Sequence, residues 1–308
     1  MWSGYRIQFD GQERHDWQKV LKAELKEALS RLAMPVDAPF AGYYDTTDPR
    51  ITDTENSLFT NLPESMPSGV TLLSFERGTT TPPAPRVPID LIGGHLHYYR
   101  YQVGAKWTKW EPDETLARWD RLPRRLPDDG SARPVWFALR DANADRLVSI
   151  SGDGLEPRTN FGLRLTVHAT NRGPRNAISY SEKLVDGTIA AFHSDRYSDV
   201  LLSVLAPKLP GVTDEELRRA LDHPAGPLFA TPAIIHTKTG FIQISPADER
   251  CSLGELTIRQ DSTSQWPELS GELFTVRPID STESTMRTKL VVLLGEPVHR
   301  GPIVGACR

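Results

Sequence analysis

Phe161-Gly-Leu-Arg-Leu-Thr-Val-His-Ala169 sets Leu163, Leu165, Val167 and Ala169 in alternation with Arg164, Thr166 and His168. That is the period of two a half-buried strand requires. After a Gly173-Pro174 break, Ser179-Tyr-Ser-Glu182 has the S-x-x-E form of a capping box, and Leu184, Val185, Ile189 and Phe192 then fall on one side of a helix. Val200-Leu-Leu-Ser-Val-Leu205 reads as a second strand. The stretch 161–207 is thus expected to be a β-α-β unit, and it points to an α+β protein with a sheet backed by helices.

A similar unit opens the chain. Tyr5, Ile7 and Phe9 alternate with Arg6 and Gln8 as a strand. Asp16 is placed to cap a helix in which Val20, Leu21, Leu25, Ala28, Leu29 and Leu32 form an apolar stripe ending before Pro35, and residues 40–44 follow as a strand. Between the two units the patterns predict strands at 70–75, 95–103, 135–139 and 147–150, a short helix or strand at 57–62, and a short helix around 114–119. Beyond them Thr213 and Glu216 form a second S/T-x-x-E box opening a helix, and 233–236, 241–244, 256–258, 273–276 and 289–294 are strand-like. No repeat of fixed period is visible. The expected fold class is α+β, with β-α-β-containing sandwich halves, mostly antiparallel sheet and long Pro-rich loops. The halves would be residues 1–126, with Pro-rich and aromatic/basic excursions, and 127–308, built on the 161–207 unit, unless both form one domain.

With 308 residues the chain can bury a sizeable core. The formal net charge of -4 gives no overall basic footprint, so any nucleic-acid surface has to be local. The 25 prolines gather in connections, four of them between Thr79 and Pro88. Cys251 and Cys307 are the only cysteines, without the paired spacing of a zinc site, which fits a reducing compartment. No run approaches the ~18 apolar residues of a membrane span, and the first ten residues lack the apolar stretch of a secretion signal. A cytoplasmic bacterial protein with no membrane contact is expected.

Four constellations bear on chemistry. Asp48, Asp53 and Glu55 belong to an acidic, turn-rich segment, and clustered carboxylates bind hard cations such as Mg²⁺ or Mn²⁺, which activate water and neutralise a phosphodiester. Asp53-Thr-Glu-Asn56 resembles the D-x-D-N signature of the RusA-type Holliday-junction resolvases. The resemblance implies Asp53 and Glu55 as metal ligands, but Glu replaces the second Asp, and Phe59 stands where that family has Lys. His95 and His97 share one strand face with Tyr99 and Tyr101, a spacing suited to a metal or to stacking of bases. His168-Ala-Thr170 resembles the H-x-T element of two-histidine phosphoesterases, with 236–239 a poorly spaced second copy. Arg118, Arg121, Arg124 and Arg125 interleave with Trp107 and Trp110, the pairing of cations and rings that phosphate contacts and stacking use.

The tail 294–305 is similar, through Gly301 and Gly305, to the glycine-rich end of repeat-associated RNA-binding proteins of CRISPR systems. No Walker, G-x-G-x-x-G, G-x-S-x-G or H-E-x-x-H motif is present. The residues therefore point to a nucleic-acid-associated protein, either a binding subunit or a metal-dependent phosphodiesterase, with a non-catalytic assembly or scaffold subunit of a multi-protein complex as the alternative.

Overall fold

The structure is a computed structural model. It describes residues 2–279 except 5, 7–15, 33–34, 36, 49–52, 60–61, 63–66, 68, 79–83, 86–93, 105–108, 123–131, 152–153, 171–175, 223–226, 237–241, 262 and 264. The strand predicted at 5–9, most of the Pro-rich segment, the strand predicted at 289–294 and the glycine-rich tail lie outside the described residues.

In chain order the elements are β1 (Trp2–Ser3), α1 (Asp16–Ser30), β2 (Pro39–Thr46), α2 (Thr54–Phe59), β3 (Leu72–Arg77), β4 (His97–Val103) and β5 (Trp110–Trp119). There follow α3 (Ala132–Ala144), β6 (Val148–Ile150), β7 (Phe161–Ala169), α4 (Ile178–Ala191), α5 (Asp199–Leu205), α6 (Asp214–Leu221), β8 (Ile234–His236), β9 (Ile242–Ile244), β10 (Cys251–Gln260) and β11 (Glu268–Pro278). Nine strands form one sheet in the order β1-β4-β2-β3-β10-β7-β11-β5-β6, and β8 pairs with β9 apart from it. All pairings within the large sheet are antiparallel except β2 with β3 and β7 with β10. The protein is therefore mixed α/β with a mostly antiparallel sheet, and among the described residues no helix is long and apolar enough to cross a membrane.

The sheet contains the same arrangement twice. In β3-β2-β4 and in β10-β7-β11 the earliest strand is central, its parallel partner follows after a helix, and an antiparallel strand closes the other side. The two sets meet at the antiparallel β3–β10 ladder, so strands from both sides of position 126 share one sheet. The sequence hides this recurrence. The central strands begin at 39 and 161, 122 apart, whereas β4 and β11 begin at 97 and 268, 171 apart, so no single period exists.

Alternation in β7 is as the sequence dictates: Leu163 and Leu165 are fully buried, and Arg164, Thr166 and His168 face the polar side. Five local readings are overturned. Residues 200–205 form helix α5, not a strand, because Ser198 caps it by accepting from Leu201 N at 3.1 Å, and Leu201, Leu202 and Leu205 bury one helical face. Short apolar runs fit either period. The parallel partner of β7 is consequently β10, far along the chain.

Residues 114–119 lie in strand β5, which β11 pairs along its length, and Val135, Trp136 and Leu139 belong to α3. The Ser179–Glu182 capping box does not form: Asn176 Oδ1 accepts from Ile178 N at 3.1 Å, and Glu182 turns to other work described below. The Thr213–Glu216 box is present. In α1 the buried face is Gln18, Lys22, Leu25 and Leu29, while Val20, expected in the core, is 58% exposed.

One close approach depends on glycine. A Cβ on Gly254 would lie 2.1 Å from the Phe75 ring at the ladder joining the two strand sets. We expect Gly254→Ala to destabilise the fold by about 2–3 kcal/mol, since the strand cannot shift without disturbing both neighbours. Urea unfolding of the variant beside wild type measures this, and a difference below about 1 kcal/mol would show that Phe75 can move aside.

Candidate functional site

The site is assembled where α2, α4 and a turn of 3-10 helix over Asp248–Arg250 meet. Asp53 caps α2, accepting from Asn56 N at 3.0 Å through Oδ1 while its backbone oxygen accepts from Ser57 N at 3.2 Å. The cap fixes the first turn of α2. It thereby places Glu55, which is 3% exposed, against Ser181 of α4.

Ser181 Oγ lies within hydrogen-bond distance of both Glu55 and Ile178 O, the latter at 3.0 Å. Ser181 donates to the Glu55 carboxyl, which favours its charged form, but the opposing effects are larger. Burial first, then the charge of Asp53, pushes the Glu55 carboxyl well above its ordinary range.

Glu182 and Asp186 stand one turn apart on α4, half-buried and turned to the same place. Burial, then Asp53 and Glu182, raises Asp186 to about 8. Burial and Asp53 also raise Glu182. Burial, followed by the charges of Asp53 and Asp186, raises Asp248 to about 9. Four carboxyl groups from both strand sets thus surround Asp53, each held above its ordinary range.

The cations coupled to them are Arg77, whose Nη1 donates to Glu249 O at 2.6 Å, and Lys183 beside Glu182. Among the described residues no three His, Cys, Asp or Glu side chains stand in an arrangement that could hold a metal ion. What the group does offer is acid and base side by side, because carboxyls that repel one another titrate at separated values.

Of the residues expected to act, Asp53 and Glu55 are brought together here. The Asp48 carboxylate lies 3.9 Å from His95 Nε2. His97 is buried, with Nδ1 2.8 Å from Tyr44 Oη and 3.2 Å from Thr46 Oγ1. Tyr99 is 1% exposed and packs on Tyr44, and Tyr101 stacks on Phe40 and donates to Leu58 O at 2.7 Å. These rings face the core.

Trp110 is buried and donates from Nε1 to Arg77 O at 2.7 Å, while Trp107, Arg124 and Arg125 lie outside the described residues. Arg118 is exposed. Arg121 is paired with Asp261 and lies 3.7 Å from Glu268, with Nη2 2.9 Å from His168 Nδ1. Because Arg121 can only donate, His168 carries its proton on Nε2 and donates to Ser270 Oγ at 3.0 Å, the wrong tautomer to activate that hydroxyl.

Arg118 and Arg121 lie across the sheet from the carboxyl cleft. The cleft is on the side of Trp119, which packs on Phe192 of the α4 C-cap.

Sequence reasoning missed Glu182, Asp186 and Asp248. Glu182 reads as part of a cap, yet Glu182 and Asp186 sit four apart beside the apolar stripe of α4, two like charges on one helix face with Lys183 the single cation near them in sequence, a legible sign of an acidic face. Only the fold brings Asp248 beside them. Comparison with known protein families, curated proteins and solved structures finds no match to this chain.

Proposed function

We propose that the protein is a nucleic-acid-associated hydrolase whose working centre is the carboxyl cleft, with a phosphodiester as its substrate. The observation that carries this is the gathering of Asp53 and Asp248, both half-buried, with Glu55, Glu182 and Asp186. Folds seldom keep such a group without a use, since each carboxyl raises the cost of ionising the next. In a hydrolysis one member takes a proton from the attacking water and another returns one to the leaving oxygen.

A phosphodiester approaching this cleft meets negative charge, so the reading includes a divalent cation arriving with the substrate. Mg²⁺ is commonly held by one or two carboxylates plus substrate phosphate, not by a complete protein cage, and Asp53 with Asp248 supplies that number.

The test is cleavage of labelled single- and double-stranded oligonucleotides with and without Mg²⁺ or Mn²⁺. Wild type is expected to cleave in a cation-dependent manner. Asp53→Asn and Asp248→Asn are expected to lose about a hundredfold or more, the scale of a lost acid or base, and Asp48→Asn to stay close to wild type. Cleavage unaffected by Asp53→Asn would remove the cleft from the mechanism.

A second reading, a non-catalytic assembly subunit, is favoured by the placement of Arg118 and Arg121 across the sheet from the cleft, with Arg121 engaged by Asp261 and Glu268. Absence of both cleavage and low-salt oligonucleotide retention would select it.

A further inference from the structure

The face of the central sheet opposite the helices is covered at Trp110, Leu253 and Phe274, and beside that cluster it carries a row of charges fixed by strand register. Arg118 of β5 lies opposite Glu272 of β11, Glu272 opposite Arg164 of β7, and Arg164 beside Glu255 of β10. The signs alternate across four adjacent strands. Arg164 is paired with Glu272 and lies 3.1 Å from Glu255, which holds the three side chains upright at moderate exposure: 44% for Arg164 and 21% for each glutamate. Ser270, Thr166 and Thr257 form the next row, also half-exposed.

A row that changes sign at every strand, about every 4.8 Å, gives no net attraction to a polyanion or a polycation. It matches a surface with the same spacing and the opposite order. A second copy turned about an axis running along the strands, between β7 and β11, presents that order: Arg118 meets Glu255, Glu272 meets Arg164, and each contact occurs twice. All four facing pairs are of opposite charge. The side chains are already ordered by their partners within the chain, so less conformational freedom is lost on contact than for free surface charges.

We propose that this face binds the same face of a second copy, forming a two-fold symmetric dimer. The assignment is independent of the carboxyl cleft, which lies on the other side of the sheet. Four strands make the face about 19 Å wide. That is smaller than a standard interface, so a weak, concentration-dependent dimer is expected.

Sedimentation velocity of the full chain over a wide concentration range tests it. A monomer–dimer equilibrium should appear at low salt and weaken at least tenfold at high salt, where charge pairs are screened. Arg118→Glu alters an exposed side chain, so it should fold normally, and two facing pairs become repulsive; it should be monomeric throughout. Arg164→Glu should be monomeric too.

Adding Glu272→Arg to Arg164→Glu keeps every facing pair opposite in sign while placing like charges side by side within each chain, so the dimer should return. A role confined to the single chain predicts no such recovery. A monomer at every concentration in low salt, or a dimer that Arg118→Glu leaves unchanged, would overturn the proposal.

Discussion

Replacement of Arg140 by Met should cost about 4 kcal/mol or more and leave the second half of the chain incompletely folded at 37 °C. Arg140 is 1% exposed. Its guanidinium donates to Ala220 O at 2.7 Å, Ala191 O at 3.3 Å, His193 O at 2.8 Å, Asp195 O at 3.1 Å and Leu221 O at 3.0 Å. Most of these carbonyls close the C-terminal ends of α4 and α6, where helices leave acceptors unsatisfied and their dipoles favour a cation. One side chain on α3 therefore terminates two other helices.

Burial pulls the Arg140 pKa down to about 10, with Asp195 opposing, so the group stays charged at neutral pH. Removing it strands buried acceptors at roughly 1–3 kcal/mol each before relaxation. Lys cannot reproduce the planar fork, so Arg140→Lys should also lose about 2 kcal/mol. Urea melts with far-UV circular dichroism give both values. An Arg140→Met variant within about 1 kcal/mol of wild type would mean that water replaces the guanidinium.

Neutralising the cleft should do the reverse and stabilise the protein, increasingly as pH rises. Asp186 and Asp248 have folded values of about 8 and about 9, raised above the ordinary carboxyl range chiefly by burial and then by neighbouring charge. The folded state thus holds protons that the unfolded chain has released. Stability from these groups is complete below about pH 4 and is lost as pH rises through their folded values. Wild type should therefore lose thermal stability steadily between about pH 5 and 9.

Asp186→Asn or Asp248→Asn removes the repulsion without the volume, and each should raise Tm by about 3–6 °C at pH 8.5 with little change at pH 5. Gain in stability with loss of hydrolysis is the signature of a site kept for use. Calorimetry across the pH range decides the matter. Tm values parallel for wild type and variants at all pH would show that the cleft opens to water and pays no penalty for its charge.

Several features were legible without coordinates. Alternation in Phe161–Ala169 gave a strand with its buried and polar faces, Thr213 with Glu216 gave a capped helix, and Asp53 with Glu55 stood out as adjacent acids. Each depends on neighbours within one turn or a few strand residues, and local sterics and hydrogen bonds decide such features. Where a short apolar run fits two periods, as at 200–205 and 135–139, local chemistry leaves the choice open, and packing settled it for the helix.

Pairing across long separations lies beyond local pattern. Nothing within 161–207 marks β10 as the partner of β7, because parallel strands need only similar apolar faces and a connection long enough to cross. The cleft follows from that pairing. Joining β10 to β7 and β3 carries the preceding turn, with Asp248, to Asp53 on one side and Asp186 on the other, and burial there shifts their proton affinities. The sequence determined which acids were present and which local elements hold them; the long-range sheet order alone decided which of those acids meet, since charge coupling depends on distance through the fold and not along the chain.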